Sequence, residues 1–120
     1  MKKVLIVEDD MIIAMVLERM IKKLDYTVID KVITGEEAIS CASQNKPDLI
    51  LMDIQLKDSI DGITAMEKIR ETSDVPVIYI TGNSDQYYMK RAKATDFVDY
   101  LVKPIQMSEL QDSIIKAFGG

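Results

Sequence analysis

Carboxylates follow two apolar runs of this sequence, at positions where they could act together. Glu8, Asp9 and Asp10 come directly after the run VLIV, and Asp53 comes directly after the run LILM. Carboxylates that approach within several ångströms raise one another's pKa by repulsion unless a cation intervenes. Because the chain has no histidine and a single cysteine, oxygen ligands would select a hard ion, and Mg²⁺ fits best. We therefore predict a Mg²⁺ site at Glu8, Asp9 and Asp53.

Asp53 is the candidate reactive group. A carboxylate that ends an apolar, buried strand carries a desolvation cost that a purely structural residue would avoid. Aspartate is a competent nucleophile toward phosphorus when a metal spans the carboxylate and the incoming oxygens, and the product is an acyl phosphate. Catalysis of this kind consists mostly of positioning and charge neutralisation.

Two further side chains follow later apolar runs. Thr81 ends the run VIYI, and Lys103 follows the run YLV. Lys103 could neutralise a phosphoryl oxygen as a point charge, and Thr81 could donate a hydrogen bond to another. Taken singly, each has a simpler interpretation, as a surface lysine and as a threonine that favours a strand. Their predicted place at the same sheet edge as the acids favours the functional interpretation.

The elements that must position these residues alternate along the chain. Apolar runs predict strands at residues 4–7, 28–33, 49–52, 75–80 and 98–102, and helical spacing recurs at 13–24, 38–42, 63–69, 88–94 and 110–118. Strands that are apolar on both faces, alternating with helices, predict an α/β fold in which a doubly wound parallel sheet of five strands is covered by five helices. We expect one domain over residues 1–120, with ligands beyond the carboxyl ends of the strands.

Local signals predict how two helices begin. Asp10 fits the N-cap of the first helix, which is a structural alternative for the acidic run before it. Thr34 followed by Glu37 fits a capping box for the second helix. Cys41 has no partner cysteine and no neighbouring ligand for a metal, so we predict a small buried hydrophobe.

Composition excludes several classes of function. The net charge of −5 and the pI near 4.7 oppose direct binding of nucleic acid, which needs clustered Lys and Arg. No apolar stretch is long enough for a membrane span, and the N-terminal apolar run is too short for the core of a signal peptide. We expect a cytoplasmic protein without membrane contact.

The motifs VLIVEDD, LILMDIQL, YITG and YLVKP stand in this order across nearly the whole chain. Together they resemble the receiver domain of bacterial response regulators, the CheY-like, flavodoxin-like domain of two-component signalling. The resemblance implies strand order 2-1-3-4-5 and a cis bond before Pro104. It also implies these roles: metal ligation by Glu8, Asp9, Asp53 and the backbone carbonyl of Gln55, phosphorylation of Asp53 assisted by Thr81 and Lys103, and a switch formed by Thr81 and Tyr100.

By the same resemblance, the chain is a signalling phospho-switch and catalyses only its own phosphorylation and dephosphorylation. The donor would be a phosphohistidine on a sensor histidine kinase or a phosphotransfer protein. The fourth helix, the fifth strand and the fifth helix would then present an altered face to a downstream effector or output domain, by a population shift.

Two other functions remain open at this point. A degenerate receiver that only docks a partner would fail to bind Mg²⁺, although every matched site residue is present. A phosphohydrolase that passes through an aspartyl phosphate would need an acid two positions after the nucleophile, and Gln55 stands there.

Three positions depart from the family's usual pattern. Lys57 stands where proline is common, in the run DIQLKDSIDG, which has one extra residue. Gly82 stands where alanine is frequent, which would leave more room near the site. Asp96 stands where glycine is frequent, and Asp tolerates a left-handed backbone better than most residues.

Overall fold

The structure is a computed structural model that describes residues 1–57, 60–82 and 86–119. The strands are β1 (Lys3–Val7), β2 (Thr27–Val32), β3 (Leu49–Asp53), β4 (Val77–Thr81) and β5 (Asp99–Val102). The helices are α1 (Met11–Lys23), α2 (Gly35–Asn45), α3 (Gly62–Ile69), α4 (Gln86–Ala92) and α5 (Met107–Ala117), and a short 3₁₀ helix (Lys93–Thr95) follows α4. The predicted alternation of strands and helices is confirmed.

The five strands form one parallel sheet in the order β2-β1-β3-β4-β5, which confirms the predicted topology. The strand order reverses between β1 and β3, where Val7 pairs with Met52. Because loops leave neighbouring strands toward opposite faces at such a point, a crevice opens beyond the carboxyl ends of β1 and β3. Residues 8–10 and Asp53 lie there.

Apolar side chains cover both faces of the sheet. In β3, Ile50 and Met52 belong to the cluster under α2 and α3, whereas Leu49 and Leu51 belong to the cluster under α1 and α5. Alternate residues of a strand point to opposite faces, so a strand buried on both sides is apolar at every position. This arrangement explains why β3 is apolar at every position before Asp53, its carboxyl end.

The predicted N-caps are confirmed, but the predicted capping box of α2 is only half formed, because Glu37 Oε1 accepts from the N–H of Ile33 at 3.3 Å rather than from that of Thr34. The Asp10 side chain accepts hydrogen bonds from the N–H groups of Ile12 at 2.9 Å and Ile13 at 3.2 Å. The hydroxyl of Thr34 accepts from the N–H of Glu37 at 3.1 Å. Both carboxylate and hydroxyl satisfy N–H groups that have no partner within the first turn.

Of three predicted details, one differs from the structure and two agree with it. β4 begins at Val77 rather than at residue 75, because Pro76 has no N–H to donate to a neighbouring strand. Asp96 has φ 54°, in the left-handed region, as expected for Asp in place of glycine. Cys41 is buried, as predicted. The extra residue of the loop after β3 concerns Asp58 and Ser59, which lie outside the described residues.

Candidate metal and phosphoryl site

Three acidic side chains meet where the strand order reverses. Glu8 and Asp9 follow β1, and Asp53 ends β3; one carboxylate oxygen from each lies within 4.8 Å of the other two. Glu8 and Asp53 are each only 2% exposed, and Asp9 is half-buried. Asp10 points away from this acidic cluster and caps α1 instead. The structure therefore brings together the three carboxylates that the sequence analysis singled out.

Lys103 supplies an ammonium group to the same cluster. Its Nζ lies 2.9 Å from Glu8 Oε1 and 3.5 Å from Asp53 Oδ2. Burial lowers the pKa of Lys103, but contact with Glu8 and Asp53 raises it more, so its pKa lies above the ordinary value. The backbone holds Lys103 in place, because its N–H donates to the carbonyl of Thr81 at 2.7 Å. The Lys103–Pro104 bond is cis, as the resemblance implied.

Three carboxylates share a single ammonium group in this cluster, and the excess negative charge contributes to a raised pKa of Asp53. Burial and repulsion by Glu8 raise the pKa of Asp53 to about 7, although Lys103 and the N–H of Gln55 lower it. One buried oxygen, Glu8 Oε1, is in an ion pair with Lys103 Nζ and has no other donor among the residues that the structure describes. Buried polar atoms are normally satisfied. A buried, oxygen-only, electron-rich cluster of this kind fits a hard divalent cation such as Mg²⁺.

The loop after β3 closes over Asp9. The N–H of Lys57 donates to Asp9 Oδ2 at 2.9 Å, which fixes the orientation of that carboxylate. The sequence analysis did not predict this contact, because a backbone donor carries no sequence signal. Lys57 is also the position where the family usually has proline, and proline would have no N–H to offer.

The remaining side of the site contains Thr81 and Gln55. The Thr81 hydroxyl donates to Gln55 Oε1 at 3.0 Å, and the N–H of Gly82 donates to the same oxygen at 3.2 Å. The N–H of Gln55 donates to Asp53 Oδ1 at 3.2 Å. Thr81 is fully buried, with 0% exposure. The sequence analysis assigned Gln55 a backbone role only and missed the role of its side chain.

Tyr100 lies beside the site rather than in it. It pairs with Tyr79 of β4, and the two ring centroids lie 6.5 Å apart in an edge-on arrangement. The centroid of Phe97 lies 6.0 Å from that of Tyr100. The half-buried ring therefore packs against the core cluster under α2 and α3, behind the strand that carries Thr81.

A salt bridge connects the start of α3 to α4. Asp61, the N-cap of α3, accepts from Arg91 Nη1 at 2.7 Å and Arg91 Nη2 at 3.2 Å. Burial raises the pKa of Asp61, but Arg91 and the N–H of Thr64 together lower it by more than burial raises it. The pKa of Asp61 therefore lies below its ordinary value. A two-pronged pair of this kind fixes orientation as well as distance.

We expect Arg91→Met to lower the free energy of unfolding by about 1 kcal/mol, because both partners are only partly exposed and the pair holds two elements together. Urea unfolding monitored by circular dichroism measures this difference. Lys90→Met, at an exposed position of the same helix, is the matched control and should change stability by less. Equal effects of the two substitutions would mean that the Asp61 contact contributes nothing.

A family model decides what kind of domain this is: the model of the response regulator receiver domain matches residues 4–115. The chain belongs to the response regulator receiver domain family. Receiver domains are signalling phospho-switches of two-component systems, and the order of strands and the position of the acidic cluster agree with this membership.

Curated relatives of this receiver domain include longer regulators. It is 34% identical over 113 residues to the transcriptional regulatory protein PdtaR of Mycobacterium tuberculosis, a match that covers 94% of this chain and 55% of that protein. It is 36% identical over 116 residues to the phyllosphere-induced regulator PhyR of Methylorubrum extorquens, covering 96% and 43%. The chain thus spans about half the length of these relatives.

Solved structures include a receiver domain with a metal. The receiver domain of a sensor histidine kinase from Pseudomonas aeruginosa, which has a magnesium ion coordinated in its active-site cleft, superposes with a TM-score of 0.89 at 33% identity. The match covers 99% of this chain and 98% of that one. In the part of this receiver domain that the structure describes, no helix is long and apolar enough to cross a bilayer.

Proposed function

We propose that this receiver domain accepts a phosphoryl group on Asp53 from a phosphohistidine of a sensor kinase or phosphotransfer protein. Mg²⁺ would be held by Glu8, Asp9 and Asp53 together with the backbone carbonyl of Gln55. The observation that carries the proposal is the convergence of three carboxylates and the Lys103 ammonium at one edge of the sheet. We also propose that residues 1–120 act as one receiver domain, which the family match over residues 4–115 supports.

In the proposed reaction, an Asp53 oxygen attacks phosphorus as the P–N bond of the phosphohistidine breaks. The bonding electron pair stays on the imidazole nitrogen, which takes a proton, and Asp53 becomes an acyl phosphate. Lys103 Nζ, 3.5 Å from Asp53 Oδ2, neutralises charge on the transferred group. Mg²⁺, when held by Glu8, Asp9 and Asp53, would supply further neutralisation of the negative charge.

We also propose a switch formed by Thr81 and Tyr100, and their positions on the neighbouring strands β4 and β5 support it. A phosphoryl group on Asp53 adds oxygens that accept hydrogen bonds, and the Thr81 hydroxyl at the end of the neighbouring strand is a donor for one of them. Tyr100, one strand further, packs behind it. Contacts made only in the phosphorylated state shift the population toward an altered α4, β5 and α5 surface. That surface would meet a downstream effector or an output domain.

Beryllofluoride, which imitates a phosphoryl group on a carboxylate, tests the proposal. We expect beryllofluoride with Mg²⁺ to shift amide resonances around the site and in α4, β5 and α5, and a small acyl phosphate donor to add one phosphoryl group to the protein mass. Asp53→Asn should abolish both responses. Asp10→Asn is the matched control, because Asn caps a helix as well as Asp does. A normal response of Asp53→Asn would refute the assignment.

The two other functions give different results in the same samples. A domain that only docks a partner would show no Mg²⁺ binding at millimolar concentration. A phosphohydrolase would turn over a phosphate ester many times. The side chain of Gln55 argues against the second function, because a carboxamide at that position cannot act as an acid or base.

A further inference from the structure

The side chain of Gln55 holds two hydrogen-bond donors at the site. Its Oε1 accepts from the Thr81 hydroxyl at 3.0 Å and from the N–H of Gly82 at 3.2 Å. We propose that Gln55 is a positioning residue that holds Thr81 and Gly82 in the unphosphorylated domain and competes with the incoming phosphoryl group for both donors. This inference rests on the proposed phosphorylation of Asp53.

The identity of the accepting atom follows from chemistry. A backbone N–H can only donate, so the Gln55 atom that faces Gly82 must be the carboxamide oxygen and not its nitrogen. The same oxygen faces the Thr81 hydroxyl, whose rotation is free to direct its proton there. One oxygen therefore accepts two hydrogen bonds, as one oxygen of a phosphoryl group would.

Gln55 is close to the reacting carboxylate as well as to these donors. Its own N–H donates to Asp53 Oδ1 at 3.2 Å, so the backbone that carries the carboxamide is attached to the phosphoacceptor. A phosphoryl group on Asp53 would enter the region between Asp53, Thr81 and Gly82. On the Thr81 side of that region, the Gln55 oxygen already accepts hydrogen bonds from the Thr81 hydroxyl and the Gly82 N–H.

The carboxamide has room to leave. Gln55 is half-buried and Gly82 is exposed. Among described atoms, the nearest to a side-chain carbon built on Gly82 is Gln55 Oε1, at 4.0 Å. Thr81, in contrast, is completely buried, so its hydroxyl cannot reach bulk water when Gln55 moves away. A phosphoryl oxygen can then take the place of the Gln55 oxygen as an acceptor for the Thr81 hydroxyl, so that release of Gln55 and capture of Thr81 occur together.

Removal of the competing oxygen should tighten binding of the phosphoryl analogue. A typical hydrogen bond changes an equilibrium by roughly two- to tenfold after exchange with water. For two such bonds we expect Gln55→Met, which preserves the length of the side chain without its acceptor, to bind beryllofluoride about tenfold more tightly in the presence of Mg²⁺. If Gln55 only stabilised the site, Gln55→Met would instead bind beryllofluoride more weakly.

The test combines a titration with the resonance of one amide. Beryllofluoride is titrated at fixed Mg²⁺ into the unsubstituted protein, Gln55→Met, Asp53→Asn and the control Gln44→Met, at an exposed position of α2. Without beryllofluoride, the Gly82 amide proton should move upfield in Gln55→Met. With saturating beryllofluoride, it should reach the same downfield position in Gln55→Met as in the unsubstituted protein.

The outcomes separate the two proposals. If Asp53→Asn binds beryllofluoride normally, the proposed function itself fails. If Asp53→Asn loses binding but Gln55→Met binds no more tightly than Gln44→Met, only the inference about Gln55 is overturned. Gln55→Asn is one methylene shorter and cannot reach both donors, so it should also bind beryllofluoride more tightly. It replaces Gln55→Met in the test if Gln55→Met does not fold.

Discussion

Gly62→Ala is expected to lower the free energy of unfolding by about 3 kcal/mol. Gly62 begins α3, and a side-chain carbon at this position would lie 2.2 Å from the carbonyl oxygen of Asp53 and 2.8 Å from Met52 Cγ. The backbone of β3 cannot move aside, because it lies in the centre of the sheet. The N–H of Gly62 also donates to the carbonyl of Ile54 at 2.9 Å, so α3 cannot move away without losing this bond.

Two other glycines provide matched controls. Gly35 also begins a helix, but its added carbon would meet side-chain atoms of Ile60, at 2.5 and 2.7 Å, which can rotate. Gly35→Ala should cost about 1 kcal/mol. Gly82→Ala meets nothing closer than 4.0 Å among described atoms and should change stability by less than about 0.5 kcal/mol.

Urea unfolding of the three variants measures this order. Because Gly35 and Gly62 occupy the same position in their helices, helix propensity cancels between them, and the difference reports contact with a backbone rather than with a side chain. If Gly62→Ala proved no more destabilising than Gly35→Ala, the close approach of α3 to the end of β3 would be wrong.

Without Mg²⁺, the free energy of unfolding should fall as the pH rises above 5. Burial and Glu8 raise the pKa of Asp53 from 3.8 to about 7. A carboxyl group with a raised pKa binds its proton more tightly in the folded state, so its contribution is complete below 3.8 and is lost as the pH rises through about 7. A shift of this size corresponds to a loss on the order of 2–4 kcal/mol.

The other carboxyl and ammonium groups near the ends of the sheet that have shifted pKa values do not obscure this trend. The pKa values of Asp61 and Asp99 are lowered, so their contributions are lost only as the pH falls through their low folded-state values. The pKa of Lys103 is raised above 10.5, outside the range. Between pH 5 and pH 8, the slope therefore reports Asp53.

Thermal or urea unfolding at pH 5 and pH 8, with a chelator and with Mg²⁺, measures the effect. Mg²⁺ should stabilise the domain more at pH 8 than at pH 5, since a proton on Asp53 competes with the ion. Asp53→Asn should abolish most of the pH dependence. A slope that persists unchanged in Asp53→Asn would show that other groups take up the protons.

The sequence pattern was sufficient to predict the alternation of strands and helices and to place most residues of the candidate site at one edge of the sheet. Apolar runs of strand length ended at Glu8, Asp53, Thr81 and Lys103, and a parallel sheet places such ends at one edge. That argument needs only the direction of the strands, so it succeeded without any knowledge of the loops. The apolar pattern alone did not give the exact start of β4, because Pro76 continues the apolar run but has no N–H to donate to a neighbouring strand.

The contacts that escaped prediction depend on loops and on polar surfaces. The Gln55 side chain reaches Thr81 only because the chain turns after β3, and no periodicity encodes that turn. The N–H of Lys57 contacts Asp9 for the same reason. Arg91 and Asp61 are both polar residues at partly exposed positions, and a hydrophobic pattern carries no information about how such residues pair.

The salt bridge between Arg91 and Asp61 gives α4 a connection to β3, the strand that ends at Asp53, and this connection does not pass through Thr81. Asp61 immediately precedes Gly62, whose close approach to the Asp53 carbonyl leaves no slack between β3 and α3. A shift of the β3 terminus can therefore be transmitted mechanically through the start of α3 to the guanidinium on α4. If α4 belongs to the surface that changes on phosphorylation, as proposed, a movement could reach it both from the Thr81 hydroxyl at the end of β4 and from the backbone at the end of β3.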